Sequence, residues 1–205
     1  MLDHQQGRNV LTRGATAGFS LIELMITVAV FALLAVLAAP SLHLYSENVK
    51  ILVNAEAFYA AVQQARTEAI RRNTPVELIL TSAVASSQSA DTTALATSGP
   101  NWIVRQPPPT AESNAYLFIA AKDGAEGGGR ASQDTSVLID ASSATVRFNP
   151  NGALASASVS VDFSSRHAAC SPAGGARCMR VVAAAGGQVR LCDPAVAGGG
   201  DTRAC

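Results

Sequence analysis

The stretch Gly18–Pro40, GFSLIELMITVAVFALLAVLAAP, decides how the rest of the chain is read. From Phe19 to Ala39 it holds 21 residues and a single charge, Glu23. As a helix such a run spans roughly 30 Å, the thickness of a bilayer core. A secretory signal has a shorter apolar region with a small-x-small cleavage site behind it. Here the small residue, Gly18, comes before the apolar run, so a cut there leaves the whole segment on the mature chain. Residues 1–18, MLDHQQGRNVLTRGATAG, are polar and set Arg8 and Arg13 against one acid, Asp3. Lys50 lies well beyond the span. The positive-inside bias therefore puts the N-terminus in the cytoplasm and everything after Ser41 on the other side.

Composition narrows the classes further. A chain of 205 residues allows one globular domain plus appendages. Fifteen basic residues balance fifteen acidic ones, which excludes the overall cationic excess of a protein that coats nucleic acid or an anionic membrane. Charged residues make up 15%, against about 25% in a typical soluble domain, and the uncharged run 24–39 explains much of that deficit. An apolar content of 48% excludes a wholly disordered chain.

Beyond the span the helical period persists to Arg72. Leu52, Ala55, Tyr59, Val62, Ala65 and Ala69 recur at three- and four-residue spacing and are expected to face a core. Lys50, Asn54, Glu56, Gln63, Gln64, Arg66 and Arg71 lie opposite, and Glu68 with Arg72 forms an i,i+4 pair. Asn73-Thr74-Pro75 ends the helix, because the residue before a proline is pushed out of the helical region. The period then switches to two. Strands are expected at 76–81, 101–106, 116–121, 136–140, 144–149, 158–164, 178–184 and 188–192. Asn149-Pro150-Asn151-Gly152 and Gly186-Gly187 are turns, the second closing a tight hairpin. The stretches 82–100 and 122–135 are rich in Ser, Thr, Ala and Gly, offer little to bury, and read as mobile loops.

Gly18-Phe19-Ser20-Leu21-Ile22-Glu23 resembles the prepilin-peptidase site of type IV pilins and type II secretion pseudopilins. The resemblance implies cleavage after Gly18, N-methylation of the new terminal Phe19, and assembly roles for Phe19, Glu23 and a helix-kinking Pro40. A carboxylate in an apolar helix costs about 2.5–3.5 kcal/mol on insertion scales, so Glu23 needs a reason. Either it snorkels to the interface or, as the resemblance implies, it meets the Phe19 amine of a neighbouring subunit. Ala65-Arg66-Thr67-Glu68-Ala69, followed by Arg71-Arg72 and Val76, resembles the helix-to-strand passage of FimT, FimU and GspH minor pilins and pseudopilins. Trp102, Phe148 with Gly152, and Gly187-Gln188-Val189-Arg190 fit the same pattern.

The implied fold class is α+β: a long, partly transmembrane N-terminal helix packed on a C-terminal antiparallel β-sheet head, the pilin fold. The organisation expected is a leader at 1–18, a transmembrane and polymerisation helix at 19–40, and a periplasmic head at 41–205. Within the head the helix takes 41–73, the sheet 75–192 and a disulfide-tied tail 193–205. The implied partners are other pilins or pseudopilins in a filament, the prepilin peptidase and the bacterial inner membrane. The implied function is that of a minor subunit near the tip of a type IV pilus or a type II secretion pseudopilus.

Cys170, Cys178, Cys192 and Cys205 all lie in the exported last fifth of the chain. With no Cys-x-x-Cys and only His167 close by, neither a zinc site nor any other metal or cofactor is expected. An even count in an oxidising compartment reads as two disulfides. Three connectivities exist, and Cys170–Cys178 with Cys192–Cys205 is preferred because both close short loops beside the final hairpin. The chain lacks Gly-x-Ser-x-Gly, His-Glu-x-x-His and a phosphate-cradling glycine loop, and no enzyme is expected.

A binding role stands as the alternative. Some FimT-type minor pilins take up DNA through Gly-Arg-x-Arg near the C-terminus. The matching stretch here is Gly187-Gln188-Val189-Arg190, with Gln in place of the first Arg. Arg177, Arg180 and Arg190 are the residues that could rebuild a small basic patch, with Arg203 nearby.

Overall fold

The computed structural model describes residues 19–109, 115–122, 136–198 and 200–205. The expected leader 1–18, with Gly18, and nearly all of the loop at 122–135 lie outside them. Among the described residues helix α1 (Leu21–Arg72) is followed by eight strands. These are β1 (Val76–Thr81), β2 (Asn101–Gln106), β3 (Leu117–Lys122), β4 (Val137–Ala141), β5 (Thr145–Phe148), β6 (Val159–Ser165), β7 (Met179–Ala183) and β8 (Val189–Cys192). The chain divides into two units at Pro40. In the first, Leu21–Ala39 is long and apolar enough to cross a membrane, with a mean hydropathy of 2.7, and every one of its residues is exposed.

The second unit holds the core. Its part of α1 buries Ile51, Ala55, Phe58, Val62, Ala65 and Ala69. The expected stripe named Leu52 and Tyr59 instead; Leu52 is exposed and Tyr59 only half-buried. Both stripes satisfy helical spacing, and the larger gain from burying Ile51 and a wholly apolar Phe58 decides between them. The Tyr59 hydroxyl accepts a hydrogen bond from Gln63 at 3.1 Å instead. Asn73 ends α1 with φ 51°. Its amide donates to Ile70 O and that of Thr74 to Ala69 O, which satisfies carbonyls the helix end would leave open.

One sheet was expected; the structure has two four-stranded ones. Their orders are β3-β2-β1-β5 and β4-β6-β7-β8, and every pairing is antiparallel. The chain leaves the second sheet after β4, pairs β5 with β1, and returns for β6. Periodicity cannot reveal this, because it reports which residues face inward and not which strand lies alongside. Phe58 joins the layers: its ring meets Trp102 of β2 edge-on at 5.3 Å and Phe163 of β6 at 5.6 Å.

Strands β4, β6 and β7 of the second sheet alternate, buried at every other residue. Strand β1 does not alternate, being buried at all six positions. Val76, Leu78 and Leu80 belong to the main core, while Ile79 packs with Ile103, Ala85 and Ala90 on the other face. That second cover corrects the reading of 82–100 as a loop with little to bury. Its small side chains approach the sheet closely, and side-chain amides and guanidinium groups hold it there. Asn101 donates to Ala83 O at 2.7 Å, and Ala96 N donates to Leu80 O at 3.0 Å. Arg105 pairs with Glu77 at 2.8 Å, both buried, and also donates to Ala90 O. Its guanidinium stacks on the Tyr116 ring at 3.7 Å.

Three segments that carried the resemblance converge beside α1. Arg66 Nε donates to Gly152 O at 3.1 Å, and Gly187 crosses that same carbonyl so closely that a Cβ on it would lie 1.9 Å away. Gly152 and Gly187 have φ of 79° and 85°, the left-handed region that glycine tolerates. The helix, the β5 turn and the β7–β8 hairpin are fixed together at this point.

Candidate assembly site

Helix α1 supplies the candidate site of the first unit. Phe19 is exposed, and Glu23 lies in the first helical turn, where a negative charge is favoured by the helix dipole. Among the described residues Glu23 has no hydrogen bond or ion pair. Around it Leu21, Ile22, Leu24, Met25 and Ile26 are all exposed. A surface this apolar on every side of a helix is stable only in lipid or against other apolar helices. Helix α1 continues through Pro40.

At the base of the head a second glutamate is treated in the opposite way. Glu47 is 2% exposed, accepting from Lys50 Nζ and from Ser165 Oγ, each at 2.8 Å. Burial pushes its carboxyl up, but the hydrogen bonds from Lys50 and Ser165 outweigh that and hold it below its ordinary value. Asn48 Oδ1 accepts from Arg177 N at 2.7 Å. These contacts tie the helix to the end of the second sheet.

The cysteines pair as Cys170–Cys178 and Cys192–Cys205. The second bond anchors the tail, which is tied again where Asp193 N donates to Arg203 O at 2.7 Å.

The three arginines of the proposed nucleic-acid patch are not assembled into one. Arg180 and Arg190 lie on the same face, since Val182 is the cross-strand partner of Arg190. Arg180, however, is held two-pronged by Asp162 of β6 at 2.6 and 2.9 Å, a pairing that raises its pKa further. Arg177 pairs with Asp193 at 3.0 Å, and Arg203 with Asp201 at 2.7 Å. Arg190 donates to the carbonyl of Ala204. Acids within the head thus offset the charge of Arg177 and Arg180 that a phosphate backbone would need, a neutralisation that a count of arginines does not reveal. Among the described residues no cluster of three or more His, Cys, Asp or Glu is arranged to hold a metal ion.

Two family models match the chain. The type II transport protein GspH matches residues 54–187, and the prokaryotic N-terminal methylation motif matches residues 13–39. No curated relative matches. Among solved structures the chain is similar to the type IV minor pilin FimU of Pseudomonas aeruginosa, with 13% identity and a TM-score of 0.49 over 72% of this chain and 91% of that one. It is also similar to the minor pseudopilin EpsH of the type 2 secretion system of Vibrio cholerae, with 12% identity and a TM-score of 0.46 over 72% and 99%.

Proposed function

The chain belongs to the type II transport protein GspH family, a minor pilin or pseudopilin subunit that assembles with other pilins, and from that premise we propose how it does so. The prepilin peptidase removes residues 1–18, and the new terminal Phe19 is N-methylated. The subunit then waits in the bacterial inner membrane with its N-terminus cytoplasmic and its head periplasmic, and enters the filament near the tip. The observation that carries this reading is the exposed apolar helix Leu21–Ala39 with Glu23 in its first turn. In lipid or in a filament core, Glu23 and the Phe19 amine are each a charge in a medium of low dielectric, and each costs several kcal/mol alone. Paired across subunits they offset one another, and a subunit out of register loses the pairing.

Mass spectrometry of the mature protein tests the first step. The expected terminus is methylated Phe19, and Gly18→Val is expected to block cleavage by crowding the scissile bond. An intact leader, or a cut after Pro40, overturns the reading.

A further inference from the structure

The two sheets of the head have four edges, and among the described residues the chain covers three of them. Beside β5, Leu154 bridges Phe148 and Ala155 N donates to Arg147 O at 2.8 Å. On β4, Ala141 N donates to Thr97 O at 2.9 Å. At the end of β8 the tail returns, and Asp193 bridges Ala204. The fourth edge is β3. From Leu117 to Ala121 its only strand partner among the described residues is β2. A row of backbone donors and acceptors on an edge is a template for another strand, and neither a proline nor a charge blunts it from Leu117 to Ala121. A bulge at Ile119 does interrupt the pairing with β2, which divides the edge and leaves Ala120 and Ala121 on the side that leads to Lys122.

That side borders a cleft of about 340 Å³. Ala57, Ala60 and Ala61 of α1 form one wall, and Trp102 of β2 with Ala120 and Lys122 of β3 forms the other. Trp102 is the cross-strand partner of Lys122, and Val104 that of Ala120, so these side chains share the sheet face turned to the helix. Alanines on both walls leave the space open. Its volume falls at the lower end of the range for ligand sites, roughly 300–1,000 Å³. Among the described residues that line it, the only charge is the Lys122 ammonium, which lies 5.0 Å from the centre of the Trp102 ring.

We propose that the edge of β3 and this cleft form one docking site, and that its occupant is an extended segment of another protein chain, with small apolar residues at alternate positions and a carboxylate that meets Lys122. The edge selects a strand over a helix, because only an extended chain matches its backbone groups. Alternation then turns every second side chain of the added strand toward the helix, where the cleft receives it. The cation fixes the sign of the charge that the segment carries. A second copy of this chain fits less well. Its described strands already belong to the two sheets, and pairing β3 with β3 adds a second Lys122 to a site whose one charge is positive.

The test uses the full-length protein in lipid nanodiscs, with its single tryptophan, Trp102, as the reporter. The probe is the capped peptide Ser-Val-Ala-Val-Ala-Glu-Ser. It is expected to shift Trp102 emission saturably, and methylation of its alternate backbone nitrogens is expected to weaken binding about tenfold or more. Ala60→Leu fills the cleft from an exposed helix position and is expected to weaken binding as much, while the thermal transition stays put. Lys122→Glu should lose this peptide and take the one with Lys in place of Glu. The absence of a saturable shift up to millimolar peptide, or equal binding of the methylated peptide, overturns the proposal. Self-association of the protein that Ala60→Leu abolishes overturns it too, since the cleft then belongs to a second copy.

Discussion

Glu23 and Glu47 stand on one helix, and among the described residues only the second has partners. Glu47 has a lysine one turn away and a serine from β6, all within the head. Glu23 is surrounded by exposed apolar side chains and, among the described residues, has no partner. The helix around each differs in the same sense. Residues 51–69 bury one face and expose the other, whereas 21–39 expose apolar side chains on every side. A segment that closes its polar contacts internally is complete as a domain. One that leaves a charge and a whole apolar surface open is half of an interface.

Substituting Glu23 gives the sharpest break in that contrast. Glu23→Ala is expected to leave membrane insertion and leader cleavage intact, since both precede assembly. Incorporation into the filament should drop by about tenfold or more, because on the proposed pairing the Phe19 amine of a neighbour would be left as an unpaired charge in a dry core. The measurement is the amount of subunit in sheared fractions relative to membranes. Equal incorporation makes a snorkelling carboxylate the better account of Glu23.

Phe58 probes the other half of the helix. It is 1% exposed and touches aromatic rings of both sheets. Phe58→Ala in a soluble head fragment spanning 41–205 is expected to cost about 3–5 kcal/mol, a loss of roughly 10 °C or more in Tm. The exposed Val53→Ala should stay within about 0.5 kcal/mol. Similar losses for the two variants would mean that the head does not pack on the Phe58 face.

These contrasts show what a sequence can carry. The end of the helix at Arg72 was legible because Pro75 and the change of period agree there, as were the positions of the eight described strands to within a residue. The cysteine pairing observed is the one preferred, on loop length, among three open connectivities. The exchange of β5 into the first sheet was not legible, since register and partner choice depend on contacts distant along the chain. Segment 82–100 misled for a different reason. Low hydrophobicity suggests nothing to bury, yet Ala85 and Ala90 lie flat on Ile79 and Ile103 because they are small, and Arg105 fastens the segment through a backbone carbonyl. As for the candidate site, Glu23 stood out as a charge in an apolar run, whereas the acids that neutralise Arg177 and Arg180 lie at separations of 16 and 18 residues that no motif links.

The disulfides sharpen the comparison inside the head. Cys170–Cys178 and Cys192–Cys205 close loops with separations of 8 and 13 residues. On the chain-entropy model these contribute about 2.5 and 3 kcal/mol. Reduction should therefore lower the Tm of the head, and Cys→Ser at either pair should lower it by part of that amount. Leader cleavage and membrane insertion of the full chain should not change. An unreduced head that titrates four free thiols removes both bonds.

The smallest effect expected is the pH dependence that Glu47 adds, and it separates the two glutamates most directly. The hydrogen bonds from Lys50 and Ser165 hold the Glu47 carboxyl below its ordinary 4.5 despite burial. The folded head therefore favours the ionised form. For a depressed carboxyl the sign is fixed: its contribution is complete above about pH 4.5 and disappears as pH falls through the lower, folded value. Glu68, held to about 2 by Arg71 and Arg72, and Asp201, held to about 2 by Arg203, weaken the head across the same acid window. A wild-type profile alone consequently cannot isolate Glu47, and a difference between two proteins can. Urea unfolding of the head from pH 7 to pH 3 should show wild type losing more stability than Glu47→Gln, with the gap opening only below about pH 5. Glu23 lies outside the head fragment and contributes nothing to that gap. Parallel profiles would mean that Glu47 is no more favoured as an anion in the folded head than in the unfolded chain, and the contrast between the two carboxylates would then rest on burial alone.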